Sequence, residues 1–301
     1  MTHVWAVILG VVQGLAEFLP ISSTAHLKLI PWLFGVRDVM LSSPQFDIAL
    51  HAGSLVAIIA ALWRDWVDLF AGAMGLRPTA SRRQAEYASH DPLRDPPFAR
   101  RFLGFLLLTS FPGGLVGVLL EKKLEFLSTP DVAGHTATGL DAATFHYAPL
   151  LLGVCLIVFG IVLWAADRFM PNERALTEMT FWSAFWIGVA QALALIPGVS
   201  RSGSTMTAGR LLGIEREAVA RYSFMAAAPI IAGAVVFGLR DVPASQLLSV
   251  DWVLGFIASA ITSVLVMRWM LGYVKRHSFA IFMWYRIAIG LFVIAVFFMR
   301  G

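Results

Sequence analysis

Six apolar stretches, each about as long as a bilayer's hydrocarbon core is thick, run through this 301-residue chain at 46–63, 102–120, 148–166, 222–239, 252–272 and 279–299. Hydrophobic residues make up 58% of the chain and charged residues 14%, too few to cover the surface of a water-soluble fold. The sequence therefore predicts an all-α, polytopic membrane protein, a single integral membrane domain over 1–301. Two more apolar stretches, 4–19 and 181–196, are shorter, and both end in proline-containing polar motifs. No basic segment precedes Val4 and no small-residue cleavage site follows it, so the N-terminus is expected to be retained rather than removed as a signal peptide. The single cysteine, Cys155, excludes an internal disulfide and reads as a small core hydrophobe.

The formal net charge of +4 clusters in loops, which makes it topology information and not the footprint of a nucleic-acid binder. The segment 64–101 carries Arg64, Arg77, Arg82, Arg83, Arg94, Arg100 and Arg101 and is expected to be a basic cytoplasmic loop. Span 46–63 then runs inward, 102–120 returns outward, and 148–166 comes back to Arg168 and Arg174. "GVVQGLAEFLPIS" at 10–22 matches "GVAQALALIPGVS" at 188–200 in six of thirteen positions, including Gln13 with Gln191 and Ser22 with Ser200. This is an internal repeat: unit one covers 1–120, a linker helix 148–166, and unit two 181–299. Span 222–239 follows the charged "GIEREAVAR" and runs outward, opposite to 46–63, so the two units are inverted relative to each other. The short, proline-interrupted segments at matching places in inverted repeats are where such folds hold their sites, and their length predicts two re-entrant helix hairpins beside the six full spans.

The first polar segment is "QGLAEFLPISSTAHL" at 13–27. Gln13 and Glu17 share one helix face, Pro20 breaks the helix, and Ser22, Ser23, Thr24 and His26 follow. The second, "PGVSRSGSTMTAGRLLG" at 197–213, offers Ser200, Arg201, Ser202, Ser204 and Thr205 after a Pro-Gly break. Hydroxyls and free backbone N–H groups around one arginine at a helix start suit a phosphate. Plainer readings stand beside these. A serine or threonine after a proline is commonly a helix cap, and Glu17 with His26 would serve as a structural hydrogen-bonded pair. Arg286 and His51 read as structural pairing residues, and Arg210, Arg216 and Arg221 as a solvated or headgroup-facing helix surface. Trp5, Trp32, Trp63, Trp66, Trp182 and Trp252 sit near span ends as interfacial anchors.

Together the two motifs resemble the undecaprenyl-diphosphatases, or bacitracin-resistance proteins, of bacterial inner membranes. That family's first motif has Glu or Gln, three residues, Glu, then F-L-P-[IV]-S-S-[ST]-G-H; here it stands as Gln13, Glu17 and "FLPISSTAH". Its second, P-G-x-S-R-S-x-x-T, stands as "PGVSRSGST", and "FDIALHAG" and "YRIAIG" extend the likeness over essentially the whole chain. The departures are Ala25 in place of the usual glycine and the long arginine-rich loop.

The resemblance implies hydrolysis of undecaprenyl diphosphate to undecaprenyl phosphate and inorganic phosphate, which recycles the carrier of cell-wall sugars. It implies Ser23 as nucleophile with His26 or Glu17 as base, and His26 itself as the rival nucleophile. Arg201 would act on the transferring phosphoryl group, and Ser22, Thr24, Ser200, Ser202 and Thr205 would bind phosphate, with Gln13 in support. Gln13 stands where a second carboxylate is permitted, so a two-carboxylate cage is not available and Glu17 would hold one Mg²⁺ or Ca²⁺ with substrate oxygens. The expected partners are a polyprenyl diphosphate lipid, the membrane and a second copy of the chain as homodimer, and not nucleic acid; the expected location is the inner membrane, with the site opening to the periplasm. The competing reading is a transporter or flippase of a polyprenyl phosphate lipid, because inverted repeats with broken helices are also carrier architecture.

Overall fold

The computed structural model describes residues 2–36, 38, 40–41, 43–76, 92–126 and 140–300. Among them the fold is all-α: α1 Thr2–Phe18, α2 Ser23–Phe34, α3 Pro44–Ala61, α4 Trp63–Ala73, α5 Pro96–Phe126, α6 Leu140–Phe169, α7 Phe181–Leu193, α8 Arg201–Leu211, α9 Arg216–Gly238, α10 Val250–Val274 and α11 Ala280–Arg300. Six of these contain segments long and apolar enough to cross a membrane, at Pro44–Ala61, Pro96–Leu119, Ala148–Phe169, Arg216–Gly238, Val250–Val274 and Ala280–Arg300. All six coincide with the stretches legible in the sequence. The chain is thus a multi-pass membrane protein.

Local chemistry fixes the helix starts. Ser43 caps α3, with Pro44 at its first position; Thr180 and Ser183 form a reciprocal cap on α7; Ser249 caps α10. The shorter helices form two broken pairs, α1/α2 and α7/α8. The caps of α2 and α8 are Ser22 and Ser200, 178 residues apart, and both adopt positive φ, 76° and 78°. A non-glycine residue held there costs on the order of 1–3 kcal/mol and persists only where its surroundings impose it.

Contacts define two ends of the bundle. At one end His3 meets Asp251, Arg300 donates to the carbonyls of Trp32 and Leu33, and Gly238 lies against Ile48. At the other, Arg221 pairs with Asp65, Lys275 with Glu217, and Arg210 and Arg216 with Asp167. The first pair leaves the His3 end with α1 and returns to it with α2; the second leaves the Asp167 end and returns with α8. The breaks meet between the two ends, where Ser202 Oγ of the second pair donates to Leu19 O of the first at 3.0 Å. Each broken pair leans on a long helix of the other half, α1 on α10 and α7 on α5. Small residues allow the first approach: a Cβ at Gly14 would fall 2.8 Å from the Ser263 backbone nitrogen.

Two expectations are corrected. The basic segment 64–101 is not loop throughout: it begins with α4, whose Asp68 pairs with Arg94 at 2.9 Å; Arg77, Arg82 and Arg83 lie outside the described residues. Arg210 does not belong to a solvated surface, and Arg216 and Arg221, partly exposed, are held in ion pairs. Arg210 is fully buried and its Nε donates to Asp167 Oδ1 at 3.0 Å, which also takes Arg216 Nε at 2.6 Å, while Arg221 binds Asp65 from α4. A charge partner and filled donors both offset the cost of burying a guanidinium; Arg210 has both, with its remaining N–H groups on the carbonyls of Pro171, Ile214 and Met170.

Candidate active site

The two breaks bring together one carboxylate from the first half and one guanidinium from the second. Glu17, at the end of α1, is buried, and its Oε1 accepts from Arg201 Nη2 at 3.0 Å. Its Oε2 accepts from Ser23 Oγ at 2.6 Å and from Gln13 Nε2 at 3.1 Å. The helical spacing read from the sequence stacks Gln13 below Glu17; the break at Pro20 turns the chain so that Ser23, the first residue of α2, folds back onto the carboxylate. His51 of α3 completes the surround, with Nε2 3.9 Å from Oε2 and a third of its side chain exposed.

Arg201 is the first residue of α8, where the helix terminus adds partial positive charge. Nη1 donates to Ser223 O at 3.2 Å, which with the Glu17 bond fixes the plane of the guanidinium. Nε is buried and has no acceptor. A buried unpaired N–H on a charged group is costly, and an incoming anionic oxygen would satisfy it. Gln13 Oε1 is likewise buried without a partner, an uncommitted neutral oxygen next to the carboxylate.

The expected phosphate-binding hydroxyls hold the scaffold here. Ser22 and Ser200 cap their helices through Ala25 N and Gly203 N. Ser202 ties α8 to Leu19, and Thr205 Oγ1 meets Ser223 Oγ at 2.6 Å, which braces the residue whose carbonyl holds Arg201. Ser204 Oγ turns back to Arg201 O, and Thr24 is exposed on the first turn of α2. His26 does not pair with Glu17. Its Nδ1 lies 2.7 Å from Ser22 O and its Nε2 2.8 Å from Tyr285 OH, with the two rings stacked. A carbonyl only accepts, so in the neutral ring Nδ1 carries the proton and Tyr285 O–H donates to Nε2.

Beneath the breaks lies Arg286. It is fully buried and makes six hydrogen bonds to backbone oxygens: Pro20 from the first break, Gly198 and, twice, Val199 from the second, and Cys155 and Leu156 of α6. The structural reading of Arg286 therefore holds, with carbonyls in place of a carboxylate. It ties down the peptides that precede the two positive-φ serines. Sequence reasoning missed Ser54, Ser223 and Tyr285, and placed His51 away from the chemistry. Adjacency to Arg286 was the only available signal for Tyr285; Ser54 and Ser223 sit in apolar runs with no signal at all.

Comparison with known proteins identifies the family. The bacitracin resistance protein BacA family matches residues 6–292. An undecaprenyl-diphosphatase of Pelotomaculum thermopropionicum is 40% identical over 296 residues, covering 98% of this chain and 97% of the relative. One from Moorella thermoacetica is 38% identical over 300 residues and covers all of both chains, and one from Gemmatimonas aurantiaca is 41% identical over 293 residues with 97% of each covered. With a family match over residues 6–292 that includes both breaks, this chain belongs to the bacitracin resistance protein BacA family.

Proposed function

We propose that this protein is a membrane phosphatase that hydrolyses undecaprenyl diphosphate to undecaprenyl phosphate and inorganic phosphate in the inner membrane of a bacterium; the relatives reported above are named undecaprenyl-diphosphatases. The observation that carries the reading is the convergence of Glu17, Ser23 and Arg201 at the meeting point of the two breaks, with Arg201 Nε left for an anionic oxygen. The substrate's anionic head hangs on a tail that stays in the bilayer, which calls for a polar site inside the bundle. Phosphoryl transfer depends mainly on positioning and charge neutralisation.

Ser23 Oγ is the nucleophile and Glu17 its base, because the hydroxyl already donates to the carboxylate, whereas both ring nitrogens of His26 are engaged elsewhere. Ser23 attacks the terminal phosphorus; its proton passes to Glu17 and then to the departing lipid monophosphate. Arg201 holds the non-bridging oxygens through Nε and the terminal N–H groups it can turn from Glu17. Serine attack leaves a phosphoserine that water must cleave. A divalent cation fits the donors present if the diphosphate brings most of the ligands: Glu17 and the unpaired Gln13 Oε1 supply two hard oxygens, and among the described residues no cluster of three acidic, histidine or cysteine side chains stands ready to cage an ion alone. Bound there, the ion would neutralise charge on the phosphates. The lipid reaches the site from the periplasmic leaflet.

The test is phosphate release from undecaprenyl diphosphate by the purified protein in detergent. Wild-type release that Ser23→Ala and Arg201→Ala abolish supports the reading; no release from wild type refutes it.

A further inference from the structure

His51 lies on the exposed side of the carboxylate, on a helix that carries none of the groups so far given a role in the chemistry. Its Nδ1 sits 2.8 Å from Asp47 O, one helical turn back. Because that carbonyl can only accept, Nδ1–H is the donor, and in the neutral ring Nε2 is a bare lone pair. Nε2 faces Glu17 Oε2 across 3.9 Å, too far for a hydrogen bond. Two acceptors thus confront each other over a gap that one water molecule would span, giving one O–H to each. Such a water has both hydrogens tied down and its lone pairs turned away from both partners.

The occupancy of Oε2 says when that water can bind. In the resting site Oε2 already accepts from Ser23 Oγ and Gln13 Nε2, which fills its two lone-pair directions. Phosphorylation of Ser23 removes the hydroxyl hydrogen, so Oε2 loses one of its two hydrogen-bond donors and can accept from a water beside His51. We propose that His51 positions the water that cleaves the phosphoserine, and that the site admits it only after Ser23 has been phosphorylated. The bond between the water oxygen and phosphorus forms as the bond between phosphorus and Ser23 Oγ breaks. Glu17 takes a proton from the water and returns it to Ser23 Oγ, so the cycle ends with the serine, the carboxylate and inorganic phosphate. His51 accepts a hydrogen bond throughout and changes neither charge nor proton. Its partial exposure gives water a way in to the Oε2 side of Glu17.

This inference rests on the phosphatase reading, and the experiment separates the two. Purified wild type, His51→Ala and His51→Gln are mixed with undecaprenyl diphosphate labelled in its terminal phosphate. Lipid monophosphate, free phosphate and label retained on the protein are then followed separately through one turnover. Wild type should release both products together. His51→Ala should release one equivalent of lipid monophosphate at the normal rate, keep the label on the protein, and release phosphate about a hundredfold more slowly, the scale of a misplaced reactant. His51→Gln, whose amide oxygen can accept in nearly the same place, should restore phosphate release. The proposal is overturned if His51→Ala releases phosphate at the wild-type rate, or if it slows both products equally with no label retained. Absence of any phosphate from wild type would instead strike the phosphatase reading, and this proposal with it.

Discussion

Replacing Arg201 by lysine keeps the charge and removes the shape. In the structure the guanidinium makes two bonds at once, Nη2 to Glu17 Oε1 at 3.0 Å and Nη1 to Ser223 O at 3.2 Å, while Nε remains for substrate. A lysine ammonium is a point donor on a flexible stem and cannot keep both anchors while presenting a fork to a phosphate. The side chain would collapse onto Glu17, leaving Ser223 O unpaired and the transferring phosphoryl group without its clamp. Loss of one such transition-state contact costs about 3 kcal/mol, roughly a hundredfold in kcat. The assay is steady-state phosphate release in detergent, with an unfolding midpoint measured on the same preparation to show that the bundle is intact. A double-mutant cycle with Glu17→Gln sharpens it, since residues in direct contact should be non-additive by about 1 kcal/mol or more. A folded lysine variant with turnover near wild type would remove Arg201 from the chemistry.

Three further outcomes are expected. Excess EDTA should suppress turnover and added Mg²⁺ or Ca²⁺ restore it, with Glu17→Gln needing more metal or failing outright; full activity in EDTA would exclude the cation. Arg210→Met should lower stability by about 3–5 kcal/mol by stranding Asp167, read from the unfolding midpoint, and Arg210→Met with Asp167→Asn should recover part of it. Single cysteines at Leu248 and Met74, both exposed, in a Cys155→Ala background should react with a membrane-impermeant maleimide from opposite faces, Leu248 in intact cells and Met74 only after lysis; labelling from one face would refute the inverted arrangement.

What the sequence reveals and what it hides divide along one physical line. The spans are legible because hydrocarbon demands about twenty apolar residues regardless of tertiary context, and the broken segments because polar clusters inside such spans have few cheap explanations. That Glu17 and Arg201 belong to one site followed from the matched halves. Partners set by the third dimension were hidden. Arg210, Arg216 and Arg221 read as charges for water or headgroups, and only the packing of α6 and α4 against them supplies Asp167 and Asp65. His51 read as a structural pairing residue and Ser54 carried no signal; they approach Glu17 and Gln13 because α3 packs beside α1. His26 was expected at the carboxylate, and one turn of α2 instead carries it to Tyr285 on α11.

The twin positive-φ serines bear on how such a chain could have arisen by duplication. Ser22 and Ser200 are equivalent in the repeat, yet Leu195 stands where Glu17 does and Ser23 where Arg201 does. The halves share a backbone device and have divided its charges between them. A protein made of two first halves would set carboxylate against carboxylate at the crossing, and one made of two second halves would set arginine against arginine. Neither assembly could hold a neutral empty site and still grip a phosphate. If the chain descends from a symmetric pair, the exchange of charge at these two positions is the step that turned a crossing point into an active site, and reversing both substitutions together, Glu17→Leu with Arg201→Ser, should leave the fold standing and the chemistry gone.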